Sequence, residues 1–251
     1  MHFLLRAEKP KAKAVESVQV PVLRDAELAA IYYGERTGGD FYDFFRASPD
    51  RVIFGLLDVA GRKEQNLAIV SAAQQTFRAM GQELLRPEDV NEAEAMVELA
   101  LQLNRTILSV GGGVHSCPAF AGCYNESLGI VCYFNAGHTP ALLRDATGVT
   151  ELPATGLPLG LFSHATVDAP MAALPPGAAL LLVSRGVVEA TCKGEELGIE
   201  GVKEHFQRST AATAKELCVD TIDSVRQFMC RPPTHNDVTV LALRRERNGA
   251  A

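Results

Sequence analysis

The segment Val52–Leu57 constrains the fold most strongly, because it is apolar over its whole length (Val-Ile-Phe-Gly-Leu-Leu). A strand with one face in water alternates apolar and polar residues, whereas a strand covered on both faces is apolar throughout. The sequence therefore predicts a strand over Arg51–Asp58 that is buried on both faces. Shorter strand-like segments separated by Pro, Gly or polar turns precede it at Val15–Val20, Glu27–Tyr33 and Asp40–Arg46.

Two amphipathic helices are predicted after this strand, followed by more strands. Apolar residues recur at three- and four-residue spacing through Lys63–Leu85, and again through about Glu88–Leu108, where Gly111-Gly-Gly ends the pattern. These stripes are typical of core-facing helices. The later predicted elements are a hairpin (Ser116–Asn125 and Gly129–Asn135), strands at Ala141–Arg144 and Ala178–Ser184, a helix at about Ala212–Met229, and a strand at Asp237–Arg244. This order predicts an α+β fold of antiparallel sheets with helices on their outer faces.

Composition excludes several classes of protein. The 251 residues include 24 Lys+Arg and 30 Asp+Glu, so the formal charge of −6 disfavours a nucleic-acid binder. No apolar run approaches the roughly 18 residues that span a bilayer, and the N-terminus lacks a signal-peptide pattern. We therefore expect a cytoplasmic protein with no membrane contact. We expect a loose arm over residues 1–14, a single domain over 15–245 and a tail over 246–251.

The six cysteines carry no metal-binding pattern. None of them forms a Cys-x-x-Cys pair, and no histidine lies at zinc-finger spacing from such a pair. We expect structural or incidental roles for all six; a cysteine nucleophile is not excluded, but nothing in the sequence marks one.

Two aspartates lie where strand ends meet loops. Asp58 closes the buried strand before Val59-Ala-Gly, and Asp40 follows Gly38-Gly39, which lets the backbone turn sharply. Carboxylates in such places can hold Mg²⁺ or Mn²⁺, which prefer oxygen ligands. Each aspartate alone is weak evidence, because an aspartate at a strand end is more often a turn residue or a helix cap.

The order of six motifs is more specific than either aspartate. They are Gly38-Gly-Asp-Phe-Tyr-Asp, Asp58-Val-Ala-Gly, Asn135-Ala-Gly-His-Thr-Pro, Gly156-Leu-Pro-Leu-Gly, Leu180-Leu-Leu-Val-Ser-Arg-Gly and Asn236-Asp-Val-Thr. From about Glu27 to Arg244 the chain resembles the PPM-type metal-dependent serine/threonine phosphatases, in the bacterial branch typified by stage II sporulation protein E. The resemblance implies an αββα sandwich with a metal cleft at one edge between two sheets.

The resemblance also implies the chemistry of that cleft. Two divalent cations, Mn²⁺ or Mg²⁺, hold the water that attacks the phosphorus of a phosphoserine or phosphothreonine. Asp58 corresponds to the bridging carboxylate, with the Val59 carbonyl as a companion ligand, and Asp40 corresponds to the acid of the Gly-Gly-Asp motif. The implied catalytic residues are thus Asp58 and Asp40, and the implied metal ligands are Asp58, Val59, Asp40 and the residue at position 236.

The sequence departs from the family pattern at ligand positions. The Thr/Ser-Asp-Gly segment is Ser184-Arg185-Gly186, so a guanidinium replaces a carboxylate, and the last motif has Asn236 at the ligand position. An arginine stays protonated and repels cations, so we expect a degenerate, impaired metal centre. Because adjacent strand residues face opposite sides, we expect Asp237 to point away from the cleft unless the chain bulges.

Three roles remain open for Arg185. It could face solvent or pair with Asp58, it could grip a phosphate bidentately, or it could adjoin a single-metal site at Asp58 and Asp40 with residual activity. The functional alternatives are an active phosphatase, a pseudophosphatase that binds a protein or phosphopeptide, and a scaffold domain. Expected partners are a phosphorylated regulatory protein, a separate sensor protein or a second copy of the chain.

Two weaker candidates complete the list. His138 could act as a general acid or stabilise a turn between strands, since Gly137 and Pro140 flank it. The run Gly111-Gly-Gly could cradle a phosphate, but it lacks the Lys-Ser/Thr of a nucleotide-binding loop and fits a helix end better.

Overall fold

A computed structural model describes residues 20–33, 40–59, 63–112, 115–164, 166–230 and 237–247. The helices are α1 (Lys63–Leu85), α2 (Glu92–Gly111), α3 (Arg185–Val188), α4 (Gly198–Arg208) and α5 (Ala214–Phe228). The strands are β1 (Ala26–Tyr33), β2 (Asp40–Arg46), β3 (Arg51–Asp58), β4 (Ala119–Asn125), β5 (Ile130–Ala136), β6 (Ala141–Asp145), β7 (Gly148–Leu152), β8 (Met171–Ala173), β9 (Ala179–Val183), β10 (Thr191–Cys192), β11 (Glu195–Glu196) and β12 (Val238–Arg245).

Ten strands form two five-stranded sheets. Sheet I has the order β1-β12-β9-β6-β7 and sheet II has the order β2-β3-β4-β5-β8, while β10 and β11 form a separate hairpin. Neighbouring strands in both sheets are antiparallel. Sheet II packs against α1 and α2, and sheet I packs against α4 and α5. The predicted αββα sandwich is therefore confirmed.

The central strand β3 explains the layering. All eight of its residues are buried. Val52, Phe54 and Leu56 face the apolar layer between the sheets, whereas Ile53 and Leu57 face the layer beneath α1 and α2. Because successive side chains on a strand point to opposite faces, an uninterrupted apolar run supplies both layers at once.

The predicted element bounds differ from the structure at some ends. The second helix begins at Glu92 rather than Glu88, because the side chain of Asn91 accepts hydrogen bonds from the backbone N–H groups of Ala93 and Glu94 and caps the helix there. Thr213 caps α5 in the same way, so α5 begins at Ala214. The predicted strand at Val15–Val20 lies outside the described residues except for Val20, which is not in a strand.

The sequence prediction omitted α3, α4, β7, β8 and the β10–β11 hairpin. Helix α4 contains Gly198 and Gly201, and it buries only Val202 and Phe206, so its apolar stripe is too narrow to stand out. The predicted arm (1–14) lies outside the described residues, as does the predicted tail beyond Arg247. Among the described helices, none has the length and apolar character needed to cross a bilayer.

A buried ion pair fastens the α1–α2 connection to sheet II. Arg51 Nε lies 2.6 Å from Glu92 Oε1, and the guanidinium also donates to the carbonyl oxygens of Pro87 and Glu88. Asn125 Nδ2 donates to the same Glu92 oxygen at 2.7 Å. Both charged side chains are at most 10% exposed, so each depends on the other for compensation.

We predict that Glu92→Ala lowers the free energy of unfolding by about 3–5 kcal/mol, because it leaves the buried Arg51 guanidinium without a counter-charge. Glu94→Ala is the matched control: it removes the same charge from the same helical turn, but Glu94 is exposed. We expect the control to change the unfolding free energy by no more than about 0.5 kcal/mol. Urea unfolding followed by circular dichroism measures both, and equal losses would contradict this account of the ion pair.

Candidate active site

The register of sheet II brings the two predicted aspartates together. Asp40 is the first residue of β2 and Asp58 is the last residue of β3, and the two are direct partners across the antiparallel pair. Directly opposed residues have their Cβ atoms about 4.5–5.5 Å apart on one face of the sheet. Asp58 is only 7% exposed, and its backbone N–H donates to the Pro118 carbonyl at 2.9 Å. The carboxylates thus form a pair of like charges at the edge of the sandwich.

Asp40 connects the two sheets. Thr239 of β12, in sheet I, donates its hydroxyl proton to Asp40 Oδ2 at 2.7 Å. Burial, followed by the charge of Asp58, raises the pKa of Asp40 to about 7, while the hydroxyl groups of Thr239 and Ser184 act in the opposite direction. The cleft therefore disfavours two fully charged neighbouring carboxylates.

Arg185 lies against this pair. It is the first residue of α3, and its Nε lies 3.3 Å from Asp58 Oδ2 and 3.8 Å from Glu189 Oε1. Burial raises the pKa of Asp58, and the Arg185 guanidinium partly offsets that effect. The guanidinium is 49% exposed, so it pairs with Asp58 and also reaches solvent. The structure thus has the ion pair anticipated as one of the roles of Arg185.

The Val59 carbonyl already has a partner. Asn66 of α1 donates from Nδ2 to Val59 O at 2.8 Å, and both residues are buried. This contact fixes the start of α1 against the end of β3. Asn66 was not predicted as a site residue; the available signal was a polar residue near the start of a predicted core helix.

Asp237 faces the cleft, so the prediction that it points away is wrong. Leu241 and Leu243 of β12 contribute to the layer between the sheets, and Thr239 reaches Asp40 from the same side. Asp237 continues this two-residue spacing and accepts a hydrogen bond from the Tyr32 hydroxyl at Oδ1. Its charge also raises the pKa values of Asp40 and Asp58. The predicted ligand Asn236, which precedes Asp237 in the sequence, lies outside the described residues.

Ser184 joins the segments that carry Arg185 and Asp237. Its hydroxyl donates to the Asp237 carbonyl at 3.0 Å and accepts from the Thr239 N–H at 2.9 Å. Its own N–H donates to the Thr239 carbonyl at 2.9 Å. Because Ser184 is fully buried, these bonds fix the end of β9 against the start of β12.

His138 stabilises a turn. The Thr139 hydroxyl donates to the Val183 carbonyl, so its oxygen is left to accept from His138 Nδ1, 3.0 Å away. This places the proton on Nδ1, while burial lowers the pKa of His138 to about 4. The backbone N–H of His138 donates to Asn135 Oδ1 at 2.8 Å, and Gly137 adopts a φ of 68°. These contacts favour the turn over the general-acid alternative.

The glycines after α2 fit a helix end. Gly111 closes α2, and Gly112 follows it at a left-handed φ of 63°, the conformation that commonly ends helices. Gly113 lies outside the described residues.

The side chains in the described ranges are not arranged as a two-cation centre. Three carboxylates line the cleft, but no cluster of three or more His, Cys, Asp or Glu residues within the described ranges is arranged to hold a metal ion. Arg185 lies on Asp58, Asn66 lies on the Val59 carbonyl, and Thr239 lies on Asp40. A pair of dications at this cleft would have to displace the Arg185 guanidinium or bind despite its repulsion.

Comparison with known proteins agrees with this geometry. The family model described as stage II sporulation protein E (SpoIIE) matches residues 48–246. Phosphoserine phosphatase RsbP of Bacillus subtilis is 26% identical over 178 residues, which cover 70% of this chain and 43% of that protein.

Solved structures show the same fold. The RsbU and RsbW domains of Rv1364c from Mycobacterium tuberculosis superpose with a TM-score of 0.74 at 26% identity, covering 92% of this chain and 64% of that one. The PP2C phosphatase domain of SpoIIE from Bacillus subtilis, with a fragment of its regulatory domain, gives a TM-score of 0.73 at 16% identity, covering 89% and 63%. The chain spans less than half the length of the curated relatives it matches. It belongs to the SpoIIE family of PPM-type phosphatase domains.

Proposed function

We propose that this chain is a phosphoserine/phosphothreonine protein phosphatase domain whose divalent-metal centre is impaired. The observation that carries the proposal is the 3.3 Å contact between Arg185 Nε and Asp58 Oδ2. By the PPM resemblance, Asp58 corresponds to the carboxylate that would hold the divalent cations. A guanidinium therefore contacts the group on which the two-metal mechanism depends.

The size of the repulsion supports impairment over full activity. Two unit charges about 4 Å apart interact by roughly 4 kcal/mol at an effective dielectric of 20, and a dication doubles the charge on one side. A tenfold change in affinity corresponds to about 1.4 kcal/mol. The guanidinium is half exposed, so solvent screens part of this effect, but several-fold to many-fold weakening of Mn²⁺ or Mg²⁺ binding remains.

The substrate class and partners are part of the same proposal. RsbP, which this chain resembles over 70% of its length, is named a phosphoserine phosphatase. We infer a phosphorylated regulatory protein as the substrate or ligand, a separate sensor protein or a second copy of the chain as the regulator, and a cytoplasmic setting. Mn²⁺ or Mg²⁺ would supply the activated water when bound, and Asp40 and Asp58 would hold it.

We predict that Arg185→Asp combined with Asn236→Asp tightens Mn²⁺ binding about tenfold or more and raises the rate of p-nitrophenyl phosphate hydrolysis, because a fixed cation is exchanged for two acids. Titration calorimetry with MnCl₂ measures binding, and absorbance of p-nitrophenolate measures hydrolysis. Arg208→Asp is the matched control, since Arg208 is exposed on α4 and the charge change is the same as at position 185.

Two results would refute the impairment. One is that the wild-type protein binds two Mn²⁺ ions tightly and hydrolyses p-nitrophenyl phosphate at least as fast as the double variant does. The other is a folded double variant that neither binds Mn²⁺ more tightly nor hydrolyses the aryl phosphate faster.

A pseudophosphatase that binds phosphorylated protein is the second candidate function. Both ion pairs of Arg185 within the described part of the chain run through Nε, and about half of the side chain faces solvent. A guanidinium fork presented at the mouth of a cleft suits bidentate recognition of a phosphate. This arrangement favours phosphate binding without a metal over an inert scaffold.

For that function we predict that N-acetyl-phosphoserine amide binds the wild-type chain in EDTA, and that Arg185→Lys weakens binding about tenfold, because an ammonium cannot make the bidentate contact. Arg208→Lys should leave the affinity unchanged. Titration calorimetry with the phosphorylated compound and with its unphosphorylated counterpart provides the test. Equal affinity for the two compounds would eliminate the phosphate-binding role.

A further inference from the structure

The six cysteines divide into two chemically different groups. Cys117, Cys123, Cys132 and Cys218 are free and buried. Burial raises the pKa of Cys117, Cys132 and Cys218 to about 12 and raises that of Cys123 well above its ordinary value, so these thiols resist oxidation in the folded protein. Cys192 and Cys230 are instead joined in a disulfide, with their Cα atoms 5.0 Å apart, inside the range that natural disulfides occupy.

The disulfide is accessible, and its two cysteines lie close in sequence to segments that build the cleft. Cys230 is exposed and Cys192 is partly exposed. Cys192 ends β10, shortly after α3 with Arg185, and Cys230 follows α5 seven positions before Asp237 in the sequence. The bond therefore links the chain that leaves Arg185 to the chain that approaches Asp237.

The hairpin that carries Cys192 has few other constraints. Strands β10 and β11 are two residues long, and the turn between them contains Lys193 at a φ of 53° and Gly194 at 88°. Thr191, Glu195 and Glu196 are exposed, so the hairpin buries little apolar surface. A covalent bond at Cys192 is therefore a strong added constraint on this segment.

We propose that Cys192 and Cys230 form a reversible thiol–disulfide modification site, and that its oxidation state sets the rigidity of the segments carrying Arg185 and Asp237. The proposal stands independently of any phosphatase or phosphate-binding activity. The expectation for these two cysteines was a structural or incidental role; the proposal gives them a chemical one.

The oxidant is a hydroperoxide. One thiolate attacks the terminal peroxide oxygen, forming a sulfenic acid and releasing the alcohol, or water when the oxidant is hydrogen peroxide. The second thiolate attacks the sulfenic sulfur, which forms the S–S bond and expels hydroxide. One thiol proton completes the alcohol (or the first water) and the other converts the hydroxide to water. A dithiol reverses the step by exchange through a mixed disulfide, becoming oxidised itself. Lys193 and Arg231 directly follow the two cysteines in the sequence, and neighbouring cations favour the thiolate.

The first test counts and locates thiols in the full chain. After reduction and then hydrogen peroxide, native maleimide labelling followed by denatured labelling should find four free thiols, against six in the reduced chain. Peptide mapping should place the disulfide between Cys192 and Cys230, and dithiothreitol should restore both thiols. The Cys192→Ser/Cys230→Ser variant should form none, while Cys132→Ala should keep the response because it removes only a buried thiol.

The second test measures coupling to the cleft by stability and hydrogen exchange. Reduction should lower Tm by roughly 5–15 °C in the wild type and not in the double serine variant. Amides of peptides covering residues 185–197 and 237–240 should exchange faster in the reduced chain, while those of β3 and β4 should not change. The proposal would be overturned if no disulfide formed after peroxide treatment or if the cysteines paired differently. It would also be overturned if hydrogen exchange of the cleft amides were the same in the oxidised and reduced chains.

Discussion

The cleft depends on the compensation of two carboxylates that the sheet forces together. Asp40 and Asp58 are register partners at the end of β2 and β3, and both sit in a largely water-excluded edge of the sandwich. Isolated buried charges are costly, so such a pair needs cations, hydrogen-bond donors or protons around it. Here Arg185, at the start of α3, supplies the cation, and Thr239, on β12 of sheet I, supplies the hydrogen-bond donor. The contacts that compensate the charges of Asp40 and Asp58 therefore also link sheet II to sheet I.

Much of the fold follows from local patterns in the sequence. The bounds predicted for β3 and for α1 agree with the structure, because an uninterrupted apolar run and a long amphipathic stripe are each strong signals. The pairing of Asp40 with Asp58 was expected only through the family resemblance, since register between strands is a tertiary property. Helix α4 escaped prediction because it buries only Val202 and Phe206, and the small β10–β11 hairpin escaped it because its strand residues are mostly exposed.

The error over Asp237 has a specific physical cause. Strand alternation was counted from Asn236 as the inward residue, but the inward set of β12 is fixed by its pairing with β1 and β9, which turns Thr239, Leu241 and Leu243 toward the other sheet. Asp237 precedes that set by the same two-residue step and is held by Tyr32. Sequence alone supplies the alternation of side chains but not its phase, and the phase depends on neighbours far away in the chain.

An aspartate-to-arginine exchange changes the local charge by two units, which equals the charge of one divalent cation. The family resemblance implies an acid at position 185. The Arg185 guanidinium that stands there instead is a covalently attached cation, and it stays charged at any ordinary pH. Such a group can neutralise Asp58 and attract a phosphate. It has no open coordination position and cannot lower the pKa of a bound water toward neutrality, which is the step a metal contributes to hydrolysis. Under the proposed function, the exchange would keep the fold and an affinity for anions while weakening the source of the nucleophile, so that reduced turnover and retained binding would share one cause.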